Sequence, residues 1–294
     1  MIVPILLAAL VAFGLAHLAA LIPAAVRRRA GFPGPELIAL GAITNFFDTL
    51  GIGSFAPTTA WIKLRKLAPD AFLPAILNVG HCLPTIAEAL IFITVVKVDT
   101  GLLVACILAA VAGAAAGAPL AVRAPVRLVQ GVVGLALLIA AGLYALANLH
   151  LMPAGGSALA LPLPLLALAA AAHFIMGVLM TFGIGLYAPS LIVLSLLGLN
   201  PLAAFPIMMG SCAFLMPASS FRFITSQRID LRIALGLAIG GVPGVLVAAF
   251  LVKHAPLTVL RWGVVVVVLY AAAMLLRSAW RGEAGAPSPA PTKA

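Results

Sequence analysis

The sequence predicts an all-α polytopic membrane protein: two inverted-topology repeats, each a re-entrant helical hairpin plus three transmembrane helices, preceded by one extra N-terminal helix. Three observations predict it. The chain of 294 residues is 64% hydrophobic and 8% charged, with mean hydropathy +1.25, against about 25% charged for a soluble domain. Apolar runs at 2–26, 71–96, 101–122 and 126–149 reach the roughly 20 residues that cross a bilayer. Finally, one stretch occurs twice.

A shift of 132 positions superimposes Thr49 on Thr181, Gly51 on Gly183, Ile52 on Ile184, Gly53 on Gly185, Ala56 on Ala188 and Pro57 on Pro189. The same shift pairs Leu67 with Leu199, Pro69 with Pro201, Ala71 with Ala203 and Pro74 with Pro206. After a one-residue deletion, Asp99 meets Asp230, Gly113 meets Gly244 and Pro125 meets Pro256. Matches in this order over this length indicate an internal duplication.

The elements follow in order. Residues 1–30 read as a transmembrane helix rather than a signal peptide, because Arg27, Arg28 and Arg29 follow the apolar run instead of preceding it. The first repeat, 31–149, opens with the segment 36–66. This is too short for two crossings, and Gly51, Gly53 and Pro57 interrupt it as one. A hairpin of two half-helices, 36–50 and 57–66, resolves the difficulty. Crossings follow at about 71–96, 101–122 and 126–148. A linker at 150–160 carries Pro153, Gly155 and Gly156. The second repeat, 161–281, has its hairpin at 162–198 and crossings near 202–224, 231–252 and 257–280. The tail 282–294 has too little apolar content to order itself.

Charge tests this topology. With helix 1 running outside to inside and each hairpin returning to its own side, one face holds Arg27, Arg28, Arg29, Lys63, Arg65, Lys66, Arg123, Arg127, Arg222, Arg228, Arg232, Arg277, Arg281 and Lys293. The other keeps Lys97, Lys253 and Arg261, a split of 14 against 3. If each hairpin were one crossing, the split would fall to about 10 against 7. Positive residues collect on the cytoplasmic side, so the hairpin arrangement is expected, with the N-terminus outside and the C-terminus cytoplasmic. The two hairpins then enter from opposite faces, as in inverted-repeat secondary transporters.

Irregular backbone inside a membrane must be buried or line a cavity. Two glycine turns meeting near the midplane would present the N-termini of the following half-helices to a common space, and such termini attract anions. Thr49, Gly51, Gly53, Ser54, Thr181, Gly183, Gly185 and Tyr187 are the candidate substrate-binding residues at these turns. A duplicated glycine turn with a proline a few residues on resembles the TauE/SafE family of sulfite and organosulfonate exporters, also called the 4-toluene sulfonate uptake permease family. The resemblance implies passage of small anions such as sulfite, sulfoacetate or sulfonates across a bacterial inner membrane. The chain departs from the family's run of consecutive glycines, with Gly51-Ile52-Gly53-Ser54 and Gly183-Ile184-Gly185-Leu186.

Asn78, His81, Thr85 and Glu88 are spaced to share one face of a single helix. A polar stripe in a membrane helix faces the bundle interior or a water path. Asn78 and His81, with Ser211 in the corresponding region of the second half, join the candidate binding set. Asp48 and Glu88 are candidates for proton coupling, and Arg222 for pairing with a departing anion. His173 reads as structural, and Pro57, Pro74, Pro189 and Pro206 are hinge candidates.

Other classes are disfavoured. The basic balance follows from loop arginines, and no basic, aromatic-interleaved face suggests nucleic acid. Cys82, Cys106 and Cys212 lack metal-ligand or redox spacing. No metal site, cofactor motif, HExxH or nucleotide-binding motif occurs, so an intramembrane enzyme or ATP-driven pump is not expected. Membrane lipid and a small anion are the expected partners. A cation or neutral solute on the same architecture is the alternative, disfavoured by the few carboxylates within the spans. The sequence leaves oligomeric state open.

Overall fold

The computed structural model describes residues 2–151, 155–251 and 257–282. Lys253, Pro256, Lys293, Pro153 and the tail beyond Gly282 lie outside them. The described residues form helices α1 (Ile2–Arg27), α2 (Pro35–Thr49), α3 (Phe55–Arg65), α4 (Leu73–Gly80), α5 (Cys82–Val95), α6 (Thr100–Arg123), α7 (Val126–Asn148), α8 (Leu163–Met180), α9 (Tyr187–Leu196), α10 (Pro201–Thr225), α11 (Leu231–Leu251) and α12 (Leu257–Arg281). No strand occurs among the described residues. Seven segments are long and apolar enough to cross a membrane: α1, 70–95, α6, α7, α8, α10 and most of α11. The chain is an integral membrane protein. The sequence reading takes α8 as one arm of a hairpin and counts α12 as a crossing.

α2 and α8 end in the same way. Gly51 and Gly183 are left-handed, with φ +80° and +95°. The Gly51 N–H bonds the Asp48 carbonyl and the Ile52 N–H bonds the Phe47 carbonyl. In the second copy, Gly183 N–H bonds Met180 and Ile184 N–H bonds Leu179. This is the Schellman closure, in which a glycine just past the helix takes the left-handed conformation and two carbonyls at the helix end are satisfied. The repeated Gly-Ile dipeptide is therefore a helix stop written twice.

One predicted helix is broken. The stretch read as a crossing at 71–96 consists of a 3-10 turn at Asp70–Phe72, then α4 and α5, with His81 between the two helices. Pro84 is the cause: it has no N–H for the Gly80 carbonyl one turn earlier, and its ring crowds that carbonyl. Asn78 thus lies on α4, while Thr85 and Glu88 lie on α5. All four stripe residues are buried.

Contacts between chain ends fix where each hairpin opens. Glu36 at the start of α2 accepts from Arg65 at the end of α3 (2.9 Å) and from the Trp61 indole (3.0 Å). The Arg65 hydrogen bond first, and the Trp61 one second, hold the Glu36 carboxyl below its ordinary range. At this end of the bundle Arg28 also donates to the Ile224 carbonyl, Arg228 to Ala124, Arg127 to Trp280 and Arg232 to Phe32. The chain flanking the second hairpin joins at the other end of α6, where Asp99 N–H bonds the Leu159 carbonyl and Asn200 N–H that of Ala158.

The arms pack across the halves, α2 along α11 and α8 along α6, while α7 lies along α12. Apolar burial does not drive helices together in lipid, so close backbone approach matters more. A Cβ on Gly244 of α11 would collide with the Ala42 carbonyl of α2, and one on Gly113 of α6 with the Phe174 carbonyl of α8. Ala42 and Phe174 stand 132 positions apart. The contact that seats one hairpin is repeated in the seating of the other.

Candidate functional site

The two turns converge. A Cβ built on Gly185 would stand 3.7 Å from that of Phe55, and one on Gly183 would stand 3.3 Å from Leu77. Between them lies a cavity of about 380 Å³, within the usual range for small-molecule sites. Asp48, Ile52, Gly53 and Ser54 from the first hairpin line it, with Gly183, Gly185, Leu186 and Tyr187 from the second. Thr85 of α5 and Cys212 of α10 complete the lining, and Leu135, Ile139 and Leu143 of α7 form an apolar wall.

The helix N-termini at the cavity are not equivalent. At α3 the Asp48 carboxyl takes both the Ser54 N–H and the Ser54 hydroxyl, each at 2.8 Å. The expected free donor there is occupied by the chain itself. At α9 the position matching Asp48 is Met180, and no side chain caps the helix. Neither α3 nor α9 is capped by its N-cap side chain, and Phe55 and Ala56 border the cavity as Tyr187 and Ala188 do, so the two ends differ in the carboxyl that Asp48 adds beside the first.

A buried acid spans the hairpins. Glu88 Oε1 lies 2.9 Å from Thr49 Oγ1, at the end of α2, and Oε2 accepts from the Tyr187 hydroxyl at 2.6 Å. Thr49 Oγ1 is also 2.9 Å from the Asn45 carbonyl. A hydroxyl has one proton, so both Thr49 contacts are hydrogen bonds at once when Glu88 supplies the second proton. His81 extends the network, with Nδ1 at 3.0 Å from Asn45 Oδ1 and Nε2 at 3.0 Å from Thr58 Oγ1.

The structure sorts the residues singled out in the sequence. Gly53, Ser54, Gly183, Gly185, Tyr187 and Asp48 line the cavity. Glu88 lies one hydrogen bond behind Tyr187, and Thr49 one further behind Glu88. Gly51 faces the Phe205 ring instead, at 3.1 Å from a built Cβ. Thr181 donates to the Val178 carbonyl within α8, behind the lining. Asn78 Nδ2 bonds the Pro74 and Met180 carbonyls, at 2.9 and 3.0 Å, and joins α4 to α8 rather than lining the space. Ser211 is buried on α10 outside the lining, next to Cys212. Arg222 is exposed at the far end of α10. His173 contacts the Ala169 carbonyl and Ser190, joining α8 to α9.

Thr85 of the polar stripe and Cys212 of α10 belong to the lining, although neither is among the sequence candidates for the site. The helical spacing to Glu88 is the signal for Thr85. Asp48 in the lining and Glu88 behind Tyr187 also bring two carboxyls to the cavity, against the expectation of few carboxylates within the spans.

The cavity, its glycine turns and the uncapped α9 all involve the second half of the chain. Residues 165–294 match the family model Sulfite exporter TauE/SafE. The match begins within α8 and covers the second half, whereas the resemblance drawn from the motifs extends to both. No curated protein and no solved structure gives a match.

Proposed function

We propose that this chain is a secondary transporter of small anions of the sulfite and organosulfonate class, sulfoacetate among them, working in export from a bacterial cytoplasm. The observation that carries the reading is the cavity shared by two glycine turns, one from each half, with the uncapped N-terminus of α9 open to it. The TauE/SafE match over residues 165–294 supports the substrate class. The exchanged packing of α2 on α11 and α8 on α6, and the opening of the hairpins at opposite ends, support two inverted repeats rocking in alternating access. The arginine-bearing end would be cytoplasmic, with the N-terminus outside. Asp48 and Glu88 are the candidates for proton coupling, and Arg222 for meeting the anion beyond the cavity.

A second reading has its own support. Asp48 lines the cavity and, among the described residues, no lysine or arginine does, which favours a cation or neutral solute on the same architecture.

A thermal-shift panel on detergent-purified protein separates the two. Sulfite, sulfoacetate, taurine, thiosulfate, sulfate, acetate, neutral amino acids and the chlorides of magnesium and choline would be compared, since a ligand bound only by the folded state raises the melting temperature. Stabilisation by a sulfur oxyanion or sulfonate that is lost in Gly185→Val supports the anion site. Stabilisation only by a cation or neutral solute overturns it.

A further inference from the structure

The C-terminal end of α1 and the first half of α11 diverge and leave a groove of about 720 Å³, separate from the cavity between the hairpins. Its walls are apolar, formed by Leu18, Ile22 and Val26 on one side and Leu235, Ile239 and Val242 on the other. Ile22, Val26 and Ile239 are exposed among the described residues. From Leu18 to Arg27, the end of α1, the helix rises about 14 Å, and from Leu235 to Pro243 about 12 Å. One leaflet of hydrocarbon is about 15 Å deep. The groove therefore runs from the membrane surface to near the midplane.

Among the described residues, Arg29 at its mouth is the one charged side chain of the lining. Of the neighbouring arginines, Arg28 donates to the Ile224 carbonyl at 2.8 Å and Arg232 to that of Phe32 at 3.2 Å, while Arg27 is outside the lining. No hydrogen bond or ion pair of the Arg29 side chain occurs among the described residues. Ala30 N–H bonds the Ala25 carbonyl and Arg29 N–H that of Val26, the closure that also ends α2 and α8, with Arg29 in the left-handed position (φ 49°) as Lys66 and His150 are at the ends of α3 and α7. This turn places a cation at the mouth of the apolar slot.

We infer that this groove binds an anionic diacyl phospholipid, with an acyl chain between α1 and α11 and the headgroup phosphate on Arg29. Basic mouths between membrane helices suit such headgroups. The chemistry required is a tail together with a negative head. A neutral lipid would fill the slot without engaging Arg29, and a free phosphate ester would leave the slot empty.

Native mass spectrometry of the full-length protein in detergent tests this, using phosphatidylglycerol and phosphatidylcholine with identical acyl chains, and glycerol phosphate as the tail-free probe. The wild type is expected to retain phosphatidylglycerol preferentially. Arg29→Gln should lose about fivefold of that retention, the effect of one arginine near a charged lipid surface. Arg27→Gln removes the same charge from a neighbouring position outside the groove and should lose little. Val242→Trp, which fills the slot, should lower retention of both lipids. Thermal melts of each variant confirm folding. Equal retention of the two lipids, equal losses in Arg27→Gln and Arg29→Gln, matching retention of glycerol phosphate, or a second copy of the chain in place of lipid would each overturn the inference.

Discussion

The Tyr187 hydroxyl donates to Glu88 Oε2 at 2.6 Å, joining the first residue of α9 to α5 beside the cavity. Thr49 meets the other carboxyl oxygen from the end of α2, so one buried acid is shared by both hairpins. Moving either hairpin breaks one of these bonds and strands a polar atom, which costs about 1–3 kcal/mol. Tyr187→Phe is accordingly expected to destabilise by about that amount. Glu88→Gln keeps an acceptor for Tyr187 and a donor for Thr49, the pattern of the neutral acid. Its melting temperature should stay near wild type while the pH dependence of transport into proteoliposomes is lost. A Glu88→Gln protein that melts as low as Tyr187→Phe would show that the acid does not hold its proton in this pose.

Helix seating gives a paired prediction. Gly113→Ala and Gly244→Ala each drive a methyl group into a carbonyl of the opposing hairpin arm, and overpacking of this kind costs about 1–3 kcal/mol. Gly131 and Gly142 on α7 have nothing within reach of a Cβ. Alanine there should be neutral or add about 0.5–1 kcal/mol through helix propensity. Melting temperatures of the four variants check the contrast, and similar losses at Gly131 and Gly113 would contradict it.

The sequence shows local structure more readily than pairing. Long apolar runs report the helical membrane class because a bilayer leaves the backbone few alternatives. Gly51-Ile52 and Gly183-Ile184 report helix stops because the Schellman closure spans only six residues. The Glu88–Tyr187 bond joins residues 99 apart and the Asn78–Met180 bond residues 102 apart, and nothing local announces either. Asn78 illustrates the difficulty, since its polarity suggested a ligand site but its amide joins two helices. The break at His81 was available in principle, because Pro84 denies Gly80 its hydrogen bond.

Two ion pairs at the arginine-bearing end should behave differently. Asp70 is buried and accepts from both Lys63 (2.5 Å) and Gln130 (2.8 Å). Removing it in Asp70→Ala leaves Lys63, whose side chain is 11% exposed, without its counter-charge, at a cost of about 3 kcal/mol. The Glu36–Arg65 pair is open to solvent, with side chains 38% and 54% exposed. Exposed pairs contribute little and are screened by salt, so Glu36→Ala should leave the melt unmoved. A scan in low and high salt distinguishes the two. Matching losses in both variants would mean that the Glu36–Arg65 contact closes the first hairpin.

Asp48 offers the sharpest division between an anion and a cation as cargo. Its carboxyl holds the Ser54 N–H and hydroxyl just ahead of α3, whereas Met180 stands at the corresponding position before α9. Asp48→Asn retains an acceptor for the Ser54 N–H, so the turn and the fold should survive. Asp48→Ala strands that buried N–H and should cost about 1–3 kcal/mol. If the cargo is an anion, the carboxyl opposes it, and Asp48→Asn should tighten sulfite or sulfonate binding measured by calorimetry. If the cargo is a cation, the same change should weaken binding or abolish it. The anion reading predicts the first outcome, with the largest gain at high pH, where a carboxyl carries its full charge and an amide none.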